Sequence, residues 1–329
     1  MNIRYIIMTT GLSLLLFACG DDPAGPVVDD DTLPGTPFQT TNIKEEPVLF
    51  DFGTESVTKG WDFKFHIVGD FFTPEVALNS GSSGSMGVQA ANLGVVNFES
   101  AAVPDSGFQM DGDTAAVIGA GWFTYDFAVN RVYSNDEVYI IKGWNYKTIK
   151  LMFFEYHHSS FHFQYSILAD DGSTWGATMI DSLSPTADTP IFYNFSTGTE
   201  STTDPDWDIA FATVLVDAGL AGFIPSPGAR LNSVSGVEVA VVVDSSFEKI
   251  TSVPADADFN SDSGEILALG DRILYYTGAP DHLVIGNGEI YLIKTVGGDV
   301  YKLQIDSYYR DPDIPGENSG YVSFRYEML

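Results

Sequence analysis

The chain has 329 residues, of which 44% are apolar and 13% aromatic, enough to build a sizeable core and to exclude a disordered protein. Its 45 acidic residues outnumber 15 basic ones, and the formal charge of -30 disfavours nucleic acid and anionic lipid surfaces as partners. Cys19 is the only cysteine, which excludes internal disulfides and Cys-ligated zinc or iron-sulfur centres.

Residues 1–18 carry one positive side chain, Arg4, followed by an apolar run over residues 5–17 that is too short for a stable membrane span. This pattern predicts a signal peptide. The run ends Leu16-Phe17-Ala18-Cys19-Gly20, which resembles the lipobox of bacterial lipoproteins and implies Cys19 as the lipid anchor. The expected location is outside the cytoplasm, with membrane contact through the lipid alone and the membrane face left open. Asp21, Asp22, Asp29, Asp30 and Asp31 lie among prolines and glycines, so residues 19–47 read as a flexible acidic tether.

From Val48 onward the sequence repeats itself. Val48-Leu-Phe-Asp-Phe52 followed by Gly60-Trp-Asp-Phe-Lys-Phe65 recurs as Ile191-Phe-Tyr-Asn-Phe195 followed by Asp206-Trp-Asp-Ile-Ala-Phe211. Asn135-Asp-Glu-Val-Tyr-Ile-Ile-Lys142 recurs as Asn287-Gly-Glu-Ile-Tyr-Leu-Ile-Lys294, and Lys150-Leu151 with Tyr156 recurs as Lys302-Leu303 with Tyr308. The expected organisation is a first β domain over 48–181, a linker over 182–190 and a second β domain over 191–329. Short β-branched or aromatic runs at 138–142, 148–154, 290–294 and 321–326 are bounded by Gly, Asn, Asp or Pro and predict strands. Each copy should end in a three-stranded meander. Gly81-Ser-Ser-Gly-Ser-Met-Gly87 predicts a loop, and no long amphipathic helix is expected. The fold class is all-β, as two tandem antiparallel domains.

Several of these motifs resemble those of the HmuY-like haem-binding lipoproteins, twice over in one chain. The resemblance is carried by Phe192-Tyr-Asn-Phe-Ser-Thr-Gly198 with Asp206-Trp-Asp-Ile-Ala-Phe211, by Leu78-Asn-Ser-Gly-Ser-Ser-Gly84, and by Gly121-Trp-Phe-Thr-Tyr-Asp126. The C-terminal run Ile290-Tyr-Leu-Ile-Lys-Thr295, Val300-Tyr-Lys-Leu-Gln-Ile305, Tyr308-Tyr309 and Gly320-Tyr-Val-Ser-Phe-Arg-Tyr326 is its most specific part. Such a resemblance implies a haem-binding surface protein that holds haem, or another small ligand, for a partner outer-membrane transporter. His282 matches the position of the family's second histidine ligand. The first ligand's position, near residues 249–254, holds neither histidine nor methionine, and the residue aligned with His282 in the first copy is Arg131. Met86 and Met110 flank the equivalent region of the first copy and are candidate thioether ligands.

Each candidate has a plainer alternative. His282 is either an axial ligand or an ordinary exposed loop histidine, and Met86 and Met110 are either ligands or gap-filling core. His157, His158 and His162 read better as a hairpin turn and its flanking strand than as a metal cluster. His66 reads as packing or facing water. Asp256, Asp258, Asn260 and Asp262 alternate as calcium ligands do but lack the glycine and glutamate of an EF-hand, so a turn is the better reading. The sequence has no His-Glu-x-x-His, Gly-x-Ser-x-Gly or phosphate-cradling Gly-Lys-Ser motif, and it reads as a binding protein rather than an enzyme. The alternative to haem is a HmuY-like protein that has lost its axial pair and binds a different partner.

Overall fold

Apolar alternation and turn residues divide the chain into strands, most of them joined by short turns. The computed structural model describes residues 33–69, 73–112, 114–217, 223–263, 266–312 and 318–329, so the signal peptide and Cys19 lie outside the described residues. The strands of the first half are β1 (Thr36–Gln39), β2 (Val48–Asp51), β3 (Ser56–Thr58), β4 (Phe63–Val68), β5 (Thr73–Leu78), β6 (Gln89–Asn92), β7 (Phe123–Asp126), β8 (Arg131–Ser134), β9 (Val138–Lys142), β10 (Thr148–His157) and β11 (Ser160–Ile167). Those of the second half are β12 (Met179–Leu183), β13 (Ile191–Asn194), β14 (Thr199–Ser201), β15 (Ile209–Asp217), β16 (Phe223–Leu231), β17 (Glu238–Val242), β18 (Leu274–Tyr276), β19 (Val284–Gly286), β20 (Ile290–Lys294), β21 (Val300–Tyr309) and β22 (Ser319–Met328). Among the described residues, helical structure is confined to three-residue turns, and no helix is long and apolar enough to cross a membrane.

The chain is all-β, and among the described residues every strand pair is antiparallel. The expected meanders are β9-β10-β11 and β20-β21-β22. The central strand of each carries a register shift at a matching place, between Phe153 and Glu155 and between Ile305 and Ser307. β6 and β12 complete the first meander as a five-stranded sheet, while β17 and β1 flank the second. Two smaller sheets run β14-β13-β4-β5 and β16-β15-β2-β3, and β7-β8 form a separate hairpin.

The strand pairing crosses between the repeats. β2, the opening strand of the first repeat, pairs with β15 of the second, with Phe50 opposite Ile209. β13, the opening strand of the second, pairs with β4 of the first, with Tyr193 opposite Phe63. The hydrogen bonds are reciprocal. Phe52 N donates to Asp208 Oδ2 and Phe195 N donates to Asp62 Oδ2, both at 2.9 Å. Asp208 N in turn donates to Phe50 O and Asp62 N to Tyr193 O. Residues 61–201, joined by Leu49, Trp207 and Ala210, therefore close one core around Phe63, Phe65, Phe153, Phe161, Phe163, Tyr193 and Phe195. The rest of residues 36–58 and 207–329 supply the other, around Phe50, Phe52, Phe211, Leu303, Phe324 and Tyr326. β2 is buried on both faces, because alternation sends Leu49 into the first core and Val48 and Phe50 into the second.

Two segments expected to be irregular are strands. In the segment read as tether, β1 pairs with β22, Phe38 packs on Phe50 and Phe324 at 4.7 and 5.3 Å, and Ile43 is fully buried. Two apolar anchors suffice to order a segment whose composition is otherwise that of a linker. In the same way β12 runs into the expected linker and buries Leu183 against β11.

Candidate functional site

A cleft of about 460 Å³ lies where the two halves meet, within the roughly 300–1,000 Å³ usual for small-molecule sites. One wall comes from the Gly/Ser-rich loop after β5. Asn79 Nδ2 donates to Trp61 O at 2.9 Å and its Oδ1 accepts from Met86 N at 3.2 Å, which fixes Met86 against the core. Met110 reaches the same cleft from a second anchored loop. Its neighbour Gln109 bridges to Ala90, and Asp111 accepts from Leu78 N and Val117 N at 2.7 Å. The two candidate methionines are thus brought together at one cavity.

The floor is the β9-β10 turn, where Trp144 is buried and its backbone N donates to Asp62 Oδ1 at 3.0 Å. Tyr146 in that turn has a φ of +66°, a left-handed conformation unfavourable for an aromatic residue. At the corresponding turn of the second half the left-handed position is Gly298. The interaction that offsets this strain is visible: the Tyr146 hydroxyl donates to Ile43 O at 3.1 Å and accepts from Thr213 N at 2.6 Å, tying the two halves together. Burial pushes the Tyr146 phenol above its ordinary value.

The opposite wall is β15 and β16, with Thr213, Leu215 and Arg230. Burial pulls the Arg230 guanidinium below its ordinary value, an effect opposed by Asp262 and Tyr146. A Cβ on Gly87 would lie 3.2–3.3 Å from Arg230 Nη1, Cζ and Nη2 alike, so the guanidinium lies face-on to this glycine. Gly87 itself has a φ of +71°. Lys142, at the end of β9, stands 4.1 Å from the Phe108 ring centroid and is the second cation at the cleft. A second cavity of about 480 Å³ adjoins the first and shares Gly87, Met110 and Arg230 with it.

His282 lies elsewhere. It is exposed at the tip of the β18-β19 hairpin with a φ of +53°, its backbone N donates to Gly278 O, and its Nδ1 is hydrogen-bonded to the Tyr276 hydroxyl. It lines none of the cavities described here. The matching β7-β8 hairpin joins Tyr125 to Asn130 in a comparable way, and its Arg131 pairs with Glu155 at 3.4 Å.

The remaining candidates fall into structural roles. His157 and His158 stack in the exposed β10-β11 turn, where His158 and Ser159 have positive φ, and His162 is on β11 beside Phe154. His66 on β4 is half-buried opposite Glu75, and burial lowers its pKa. Asp262 uses both oxygens as backbone acceptors, from Leu231 N at 2.9 Å and Ala268 N at 2.7 Å, as Asp111 does in the first half. Among the described residues no group of three or more His, Cys, Asp or Glu side chains is placed to hold a metal ion.

Arg230, Lys142 and Tyr146 were not singled out by sequence reasoning. One available signal was the repeat itself: at equivalent register Lys64 opposes Ala77 while Ala210 opposes Arg230, and Tyr146 stands where the other turn has Gly298.

No family model and no curated protein matches this sequence. Among solved structures, the chain is similar to the apo HmuY analogue of Tannerella forsythia, at 9% identity, over 90% of this chain and 96% of that one, with a TM-score of 0.36. It is also similar to apo PinO from Porphyromonas gingivitis, at 12% identity, over 74% and 97% of the two chains, with a TM-score of 0.28.

Proposed function

We propose that this protein is an exported, lipid-anchored surface lipoprotein of the HmuY-like kind that binds haem in the cleft between its two halves and carries no catalytic centre. The observation that supports this reading is the convergence of Met86 and Met110, held by separate anchored loops, on one cavity floored by Trp144. Thioether sulfur is a competent haem-iron ligand, and an indole and Leu215 suit an apolar macrocycle. The donor set at the cleft therefore fits haem, with Met86 and Met110 as the residues that would hold it. His282 does not fit as well, since it is exposed at its hairpin tip and Tyr276 already engages its ring. The iron would be held for release to a partner transporter.

Haem titration of the purified chain, read at the Soret band, tests this. A saturable, shifted band is expected in the wild type and in His282→Ala, with the band altered and affinity reduced in Met110→Ala and in the volume-conserving Met86→Leu. Circular dichroism on each variant separates lost ligation from lost folding. Loss of the band in His282→Ala with Met110→Ala unchanged would move the site to the β18-β19 hairpin. Nonspecific adsorption alone would leave the second reading, a HmuY-like lipoprotein with another ligand, which the exposure of His282 favours.

A further inference from the structure

We infer that the cleft selects ligands by their carboxylates, with Arg230 as the anchoring cation and Lys142 as the second, so that the ligand class is an amphipathic carboxylic acid. This rests on the cleft being the ligand site. The first ground is charge. Acidic residues outnumber basic ones three to one in the chain, and a lining of fourteen residues drawn in proportion would hold about two acids and fewer than one base. The cleft has two bases and no acid, while the adjoining cavity that shares Arg230 is lined by Asp111 and Asp262, whose oxygens accept from backbone amides. In a chain of charge -30, an anion is repelled at long range and needs such a local reversal of sign to be held.

The second ground is geometry. Arg230 has its guanidinium face against Gly87, which leaves the N–H edges, the part that recognises carboxylates in a fork, for other partners. Asp262, the acid that acts on it electrostatically, gives both oxygens to backbone amides. A half-buried guanidinium at the cavity wall is a donor whose desolvation an incoming carboxylate would offset.

The third ground is the internal comparison. Framework carboxylates recur in both halves, as Asp62 with Asp208 and Asp111 with Asp262, whereas the position of Arg230 is Ala77 in the other half. The cation is not part of the shared scaffold.

The test uses iron-free protoporphyrin IX and its dimethyl ester, which differ only in the masking of the carboxylates and take thioether ligation out of the comparison. Binding to the purified full chain is read by tryptophan quenching. The free acid is expected to bind the wild type roughly ten- to a hundred-fold more tightly than the ester, and Arg230→Gln is expected to lose a similar factor for the acid and almost none for the ester. Arg230→Lys, which keeps the charge, should recover part of the loss and shows that the fold survives at this position. Equal, saturable binding of acid and ester to the wild type would overturn the carboxylate assignment while leaving the cleft as the site. Absence of saturable binding of either porphyrin, together with a negative haem titration, would overturn both.

Discussion

The reciprocal carboxylates beneath the exchanged strands make a quantitative test of how the two halves are joined. Asp62 is fully buried and accepts from Phe195 N and Trp144 N, yet burial outweighs those two hydrogen bonds and pushes its pKa up to about 6 from 3.8. A carboxyl raised in the folded state binds its proton more tightly there than in the unfolded chain. The stability this confers is complete below about pH 3.8 and is lost as pH rises through 6. The full effect is about 3 kcal/mol, of which about 1.3 kcal/mol falls between pH 7 and pH 5. Asp62→Asn removes the titration and leaves one of the two amides facing an NH2 group, at a cost of about 1–3 kcal/mol. Denaturant unfolding of wild type and Asp62→Asn at pH 5 and pH 7, followed by tryptophan fluorescence, isolates this one group, because every other titration is common to both proteins. The gap between wild type and variant should be wider at pH 5 than at pH 7 by about 1.3 kcal/mol. A gap that is constant, or narrower at pH 5, would refute the claim that Asp62 carries a desolvated charge at neutral pH.

Asp208, which accepts from Phe52 N and is also raised to about 6 by burial, should give Asp208→Asn the same widening in the same window. Lys302 is buried with its Nζ donating to Phe247 O and Ile250 O at 3.0 and 2.9 Å, so Lys302→Met leaves two carbonyls without a partner and should lower the unfolding free energy by about 2–4 kcal/mol, seen as a lower denaturation midpoint. Tyr146→Phe keeps the ring but removes the acceptor of Thr213 N, and amide exchange at Thr213 should accelerate relative to its β15 neighbours. Cys19→Ser should release the chain from the membrane fraction and abolish lipid labelling, whereas the same result in wild type would remove the lipoprotein reading.

The strands were legible because their apolar runs are short, β-branched or aromatic and bounded by turn residues, and the meanders at 138–167 and 290–328 follow that pattern closely. The hairpin at His157 and His158 was readable for the same reason. The crossing of β2 and β13 was not, because both opening motifs are equally suited to either partner: Val48-Leu-Phe and Ile191-Phe-Tyr present the same alternation to the same kind of edge. Which edge is filled depends on chain geometry between residues 52 and 63 and between 195 and 209, to which hydrophobic pattern is blind. The segment at β1 was misread because composition averages over a window in which only Phe38 and Ile43 do the anchoring. Of the candidate ligands, the pairing of Met86 with Met110 depended on two loops closing toward each other, a long-range fact absent from either local sequence.

The internal duplication also separates scaffold from site. Positions that match between the halves serve the fold: Asp62 and Asp208 hold the exchanged strands, Asn79 and Asn232 bond the carbonyls of Trp61 and Trp207, and Lys150 and Lys302 stand over Phe98 and Phe247. Three positions at the cleft do not match, since Arg230 answers Ala77, Tyr146 answers Gly298 and the residue after the bridging Asn260 is Ser261 where Met110 follows Gln109, whereas Lys142 is matched by Lys294 and each stands over a phenylalanine ring. A residue kept for packing would be expected in both copies, because both build the same core. A residue present in one copy, held at a strained φ or desolvated as a cation, needs a reason that the core does not supply. Tyr146 has such a reason in joining the halves, and for Arg230 an anion entering the cleft would supply one. That cleft draws one wall from residues 86–148 and the other from residues 212–230, so it exists only where the two halves meet, and neither repeat contains it alone.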